Sequence, residues 1–136
     1  MKKNIISVII LFLLFYSCSE RSMDPDLTSN FNPAFIYNSN QDSVWDVFAM
    51  NNDGSEQVNL TNGIRNSLFP QYFPLSLKII FQQETSYNRR YSKHEIFIMN
   101  LNGSNQIKIT DDSSDNSHCQ FSPDGQKFFF DLTEPA

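Results

Sequence analysis

Residues 95–110, EIFIMNLNGSNQIKIT, divide into two short runs around a turn. EIFIMN is β-branched and aromatic, LNGS carries an Asn-Gly pair, and NQIKIT alternates polar with apolar residues. Period two sends successive side chains to opposite faces of a strand, and Asn-Gly suits the positive φ of a tight hairpin. The pattern predicts a hairpin. Gly103 is expected to need that φ, so valine there should lower the melting temperature more than valine at Asn105. HCQFS, a Pro-Asp-Gly turn and QKFFFDL then form a second hairpin, whose late strand is apolar on both faces. Such a strand is expected to lie buried between layers. In its turn Pro123 presets the first corner, Asp124 can bond backbone amides, and Gly125 accepts φ > 0. Thr110 with Asp111 and Asp112 closes its strand with side chains that prefer turn bonding to the ladder.

The same pattern stands 49 positions earlier, where residues 46–61 read DVFAMNNDGSEQVNLT. Seven of the sixteen aligned positions are identical, including Met50/Met99, Asn51/Asn100, Gly54/Gly103 and Thr61/Thr110. Ordinary composition would give roughly one identity. The match continues more thinly, without a gap, to Phe81/Phe130. A period near fifty signals a propeller or solenoid, and four short strands per period make the four-stranded meander of a propeller blade. The expected fold is all-β, with about two four-stranded antiparallel blades, a partial propeller. Their repeats fall at about 35–81 and 82–130, within a folded region at 34–136, and residues 126–132 open a further blade.

The string IFIMNLNGSNQIKITDD, followed by NSHCQ and FSPDGQKFFF, resembles the repeat of TolB-like propellers, also called WD40-like or PD40 repeats. The residues that carry the likeness are Met99-Asn100, Gly103, Ile109-Thr110, Ser122-Pro123-Asp124-Gly125 and the aromatic strand Phe128–Phe130. The first copy departs, because FPLSLK keeps only Pro74 of the Ser-Pro-Asp-Gly turn. The likeness covers about 100 residues from Phe35 onward and implies a fold rather than an activity. A closed propeller has four to eight blades, so the chain reads as part of a longer one. Its last strand, QKFFFDL, is then expected at an unpaired apolar edge through which copies would self-associate.

The N-terminus supplies an address. Lys2 and Lys3 precede the apolar run IISVIILFLLFY, which stops at Ser17-Cys18. A run this short, with a small residue before the cysteine, reads as a secretion signal. FYSC resembles a bacterial lipobox, although Phe15 stands where leucine is usual. That resemblance implies cleavage before Cys18, acylation of Cys18, and anchoring to the outer membrane. Residues 1–18 are thus the signal with its lipobox cysteine, and the polar, proline-containing stretch 19–33 is a flexible tether. Loss of Lys2 and Lys3 takes the net charge from −5 to −7. An acidic surface repels phosphate backbones and argues against nucleic acid as a partner. With Cys18 acylated, only Cys119 remains, so no intramolecular disulfide is expected.

Candidate chemistry is sparse. His94-Glu95 begins like a zinc-protease motif, but Ile98 stands where the second histidine belongs. His118 and Cys119 are adjacent on a strand, so their side chains leave opposite faces and cannot share one ion. NNDGSE at 51–56 loosely suggests a calcium loop, yet it lacks the closing glutamate, and a hairpin turn accounts for it. No nucleophile elbow or phosphate loop occurs, so neither catalytic residues, metal nor cofactor is expected. The irregular segment QQETSYNRRYSKH at 82–94 reads as a loop, five residues longer than its counterpart NSNQDSVW. It offers Tyr87, Arg89, Arg90 and Tyr91, residue types favoured at interfaces. The expected function is a non-catalytic, lipid-anchored envelope protein that binds another envelope protein. The alternatives are the propeller part of a prolyl-oligopeptidase-like serine peptidase and a surface carbohydrate-binding lipoprotein.

Overall fold

The computed structural model describes residues 5–10, 33–41, 43–63, 65–87 and 92–134, with 5–10 and 87 described by their backbone alone. These residues form ten strands and no helix: β1 (Ile5–Ile10), β2 (Phe35–Ser39), β3 (Asp46–Met50), β4 (Val58–Asn59), β5 (Ser67–Phe73), β6 (Lys78–Tyr87), β7 (Ser92–Asn100), β8 (Ile107–Lys108), β9 (Asp115–Phe121) and β10 (Lys127–Thr133). They pair into three antiparallel sheets of order β2-β3-β4, β5-β6-β7-β8 and β1-β10-β9. The fold is all-β.

The middle sheet is sandwiched between the other two because β6 is apolar on both faces. Ile79 and Phe81 point into a core with Val47 and Ala49 of β3, Leu60, Met99 and Leu101. Ile80, between them in sequence, points the other way, into a core with Ile96, Cys119, Phe128 and Phe130. β7 divides its side chains likewise: Phe97 and Met99 join the first core, Ile96 and Ile98 the second. Ile79, Ile80 and Phe81 are all fully buried, and each contributes about 1.5–3 kcal/mol relative to exposure. The expectation that a doubly apolar strand lies between layers holds for β6, the repeat counterpart of QKFFFDL, but not for QKFFFDL itself: in β10 Phe128 and Phe130 are buried in the core while Phe129 between them is only half-buried.

The 49-residue repeat is written in the backbone as well. β3 and β4 recur as β7 and β8, and β5 and the start of β6 recur as β9 and β10. Gly54 and Gly103 have φ of 83° and 82°, Glu56 and Asn105 of 50° and 53°, Phe69 and His118 of 52° and 53°. The third pair marks a bulge. Leu68 pairs with Gln82 and Gln71 with Ile80, so Phe69-Pro70 oppose Phe81 alone. Ser117 pairs with Asp131 and Gln120 with Phe129, so His118-Cys119 oppose Phe130 in the same way. Such a bulge tolerates Pro70, which cannot donate to a ladder.

Hairpin turns follow the predicted chemistry. Gly103 N–H donates to Asn100 O at 3.0 Å and Asn100 N–H to Ser104 O at 2.9 Å, closing a turn with glycine in the left-handed position. In the Ser-Pro-Asp-Gly turn, Gly125 N–H donates to Ser122 O at 2.8 Å, and Asp124 accepts from Gln126 N–H at 3.0 Å. Its counterpart at Phe73–Ser76 is looser: Ser76 N–H donates to Phe73 O at 3.3 Å, Leu77 N–H to Pro74 O at 3.4 Å, and the positive φ, 52°, falls one residue later at Leu77.

Three expectations change. Asn105 has positive φ, so valine there is strained too, and the Gly103/Asn105 comparison loses its reference. Segment 82–94 is largely strand: β6 runs to Tyr87 and β7 starts at Ser92, so the extra residues lengthen a hairpin. The outer edge of β10 is not unpaired, because β1 lies along it from Ile5↔Leu132 to Ile10↔Lys127.

A better comparison uses the two equivalent glycines. A Cβ at Gly54 would meet nothing within 4 Å, whereas at Gly103 it would fall 2.6 Å from Leu60 O. Gly54→Ala should cost about 1–2 kcal/mol, the strain of a side chain at left-handed φ. Gly103→Ala should cost more, because the backbone it strikes belongs to the neighbouring sheet. Chemical denaturation checks this, and equal losses would count against the contact.

Candidate functional site

Most of the sequence-predicted functional residues fall outside the described part of the chain. Cys18, Arg89, Arg90 and Tyr91 lie outside the described residues, as does the tether up to residue 32. Tyr87 is placed by its backbone, paired with Ser92 at the end of the β6–β7 hairpin. His94 and Glu95 do not converge on a metal. His94 Nδ1 lies 3.0 Å from Asp115 Oδ1, which also accepts from the His94 amide at 2.7 Å. Glu95 points inward. His118 is exposed and Cys119 buried, on either side of the bulge that holds them. Among the described residues, no three His, Cys, Asp or Glu side chains are placed to hold a metal ion.

Sequence reasoning missed the most organised polar feature, a carboxylate–threonine pair present once per repeat. Thr61 Oγ1 donates to Asp46 Oδ1 at 2.6 Å and accepts from Val47 N–H at 3.0 Å. Thr110 Oγ1 donates to Glu95 Oε2 at 2.5 Å and accepts from Ile96 N–H at 2.9 Å. Each hydroxyl bonds a backbone amide and orients a buried acid. The signal was legible: both repeats place an acid fifteen residues before an identical threonine.

The second copy is elaborated. Glu95, 1% exposed, also accepts from Lys93 Nζ at 2.6 Å and from Asn116 Nδ2 at 3.1 Å. Asn116 Nδ2 reaches Asp112 Oδ1 at 3.0 Å as well. Two carboxylates therefore fix the Asn116 amide with its NH₂ towards them, which leaves its buried Oδ1 without a donor. Lys93 Nζ also donates to Asp112 O. This network joins β7 to the Asp111–Asn116 segment that leads into the third sheet, and a buried charge so paired is costly to break.

A concavity lies on the third sheet. His118, Gln120, Phe129, Phe130 and Asp131 line an open depression of about 470 Å³. Phe69 packs against His118 with ring centroids 5.5 Å apart, and His118 Nδ1 lies 3.4 Å from Asp131 Oδ2. The His118 amide, freed from the ladder by the bulge, donates to Gln82 Oε1 at 3.0 Å across the sheet interface. The lining combines a half-buried aromatic with small polar groups and holds no nucleophile–base pair.

Neither a protein-family model nor a curated protein matches this chain. Any assignment therefore rests on its own residues. Among those described, no helix is long and apolar enough to cross a membrane.

Cys119 yields a chemical check. Burial pushes its thiol from 9.0 up to about 12. A hydrogen bond to Glu95 likewise raises Lys93 above 10.5. Both folded values exceed the unfolded ones, so each contribution to stability is complete below the ordinary value and lost as pH rises through the folded one. In a Cys18→Ser background, Cys119 should resist iodoacetamide at pH 9 and react once denaturant is added. Rapid labelling under native conditions, read by mass spectrometry, would contradict the buried position.

Proposed function

We propose that the chain is an exported, lipid-anchored envelope protein whose sheets are blades of a TolB-like propeller, serving as a non-catalytic module for binding another envelope protein. The observation that carries this reading is the middle sheet. It is a four-stranded antiparallel meander with both faces buried against similar sheets, and its backbone features recur at a 49-residue offset on either side. Stacking of repeated sheets through both faces is how blades build a common core. The Ser122–Gly125 turn and the carboxylate–threonine pairs support the same reading, since each anchors a strand end at an equivalent place. On this reading the outer sheets are parts of two further blades.

The envelope address rests on the N-terminal residues. A basic start, an apolar run and Ser17-Cys18 coincide, and two or three acyl chains suffice for stable anchoring. Interaction falls to the segment between β6 and β7 in the sequence, where Tyr87, Arg89, Arg90 and Tyr91 supply planar, charged and aromatic groups. An acidic net charge keeps the protein from nucleic acid and leaves these arginines as a local positive exception.

Metabolic labelling with a palmitate analogue tests the anchor. The wild-type chain should label and partition with membranes, and Cys18→Ala should do neither. Equal labelling of the two would sink the lipoprotein reading.

A further inference from the structure

We propose that the outer edge of β10 is a strand-acceptor site, and that residues 5–10 of the same chain are its occupant before any N-terminal processing. The observation is one of register. Along β6, Lys78, Ile79, Ile80, Phe81, Gln82 and Gln83 pair with Asn100, Met99, Ile98, Phe97, Ile96 and Glu95. Advanced by 49, the β6 residues become Lys127 to Leu132 of β10, and these pair in the same order with Ile10 to Ile5. The six β10 residues that pair with β1 are thus the repeat counterparts of the six β6 residues that pair with β7, and both pairings are antiparallel. β1 stands where a third strand of the repeat would stand.

The chemistry of the edge explains why it takes a strand. Phe128 and Phe130 are held in the core by Ile80, Ile96 and Cys119, so β10 is fixed in place before its outer edge is paired. A fixed strand with one free edge presents a row of amides and carbonyls for an antiparallel neighbour, and main-chain bonds supply most of that attachment. The segment 5–10, IISVII, is β-branched at five of its six positions and has neither glycine nor proline. Its removal at a cleavage site before Cys18 would uncover the acceptor edge. The pairing belongs to the uncleaved chain, whether or not cleavage and acylation follow.

Register-specific cross-linking of the full chain tests this. In a Cys18→Ser, Cys119→Ser background, Val8→Cys with Phe129→Cys joins two directly opposed positions. Ile9→Cys with Phe129→Cys is slipped by one residue, which sends the two side chains to opposite faces. Under mild oxidation the Val8 pair should close an intramolecular disulfide at least about tenfold faster than the Ile9 pair, because disulfide geometry tolerates little displacement. Equal rates, no bond within the monomer, or disulfide-linked dimers would each overturn the proposal, the last by making a second copy the occupant. Hydrogen exchange on the Cys18→Ser chain, without new cysteines, is the second measurement. Val8→Pro should raise exchange at residues 127–132 about tenfold or more and leave 78–83 unchanged, since proline interrupts strand pairing. Unchanged protection at 127–132 would equally overturn it. The cross-linked chain carries no Cys18, so its outcome is separate from that of the acylation experiment.

Discussion

Burial of β6 on both faces is the constraint on which the rest of the structure depends. A strand with Ile79 and Phe81 on one side and Ile80 on the other cannot satisfy its apolar surface with a single partner layer. It requires two. The sheet of β2, β3 and β4 supplies Val47 and Ala49 on one side, and the sheet of β9 and β10 supplies Cys119, Phe128 and Phe130 on the other. Because β7 splits its residues in the same manner, the two central strands of the middle sheet become an inner layer. Its edges and loops are what remain for contact with water or a partner.

Polar groups fix how the layers meet. Side chains at the strand ends carry bonds that the ladder cannot, and the carboxylate–threonine pairs do so at equivalent places in both repeats. The bulges have the same character: each leaves two residues opposite one, and in the second copy Gln82 accepts the amide that the bulge releases. Gly103 against Leu60 O, and Gln106 Nε2 bonded to that oxygen at 3.1 Å, seat the second repeat on the first. Apolar burial supplies most of the attraction between layers, while these directional contacts set their register.

For function, the arrangement separates scaffold from surface. The titratable groups with a clear structural role, Glu95, Lys93, Asp112 and Asp115, are engaged in holding strand ends together. A scaffold of this type tolerates loop variation, which is why fold-level likeness carries so little information about partner.

The sequence by itself determined the strands, the hairpin turns and the 49-residue repeat, because each depends on local pattern: period two, turn residues with special φ, and an unbroken alignment. It also foretold that a doubly apolar strand must lie between layers, since that follows from pattern without knowing the neighbours. The tertiary structure decided what depends on partners distant in the chain. Glu95 reads as an ordinary polar strand residue until Thr110, Asn116 and Lys93 converge on it. Asn105 and His118 gave no local sign of positive φ, because a hairpin and a bulge impose it from across the ladder. The polar stretch 82–94 looked like a loop by composition, yet pairing between β6 and β7 takes up its flanks, from Gln82 to Tyr87 and from Ser92 to His94. The outer edge of β10 could not be assigned a neighbour from its own residues. Strand pairing is made by backbone groups that every sequence possesses, so only the assembled register shows which segment fills an edge.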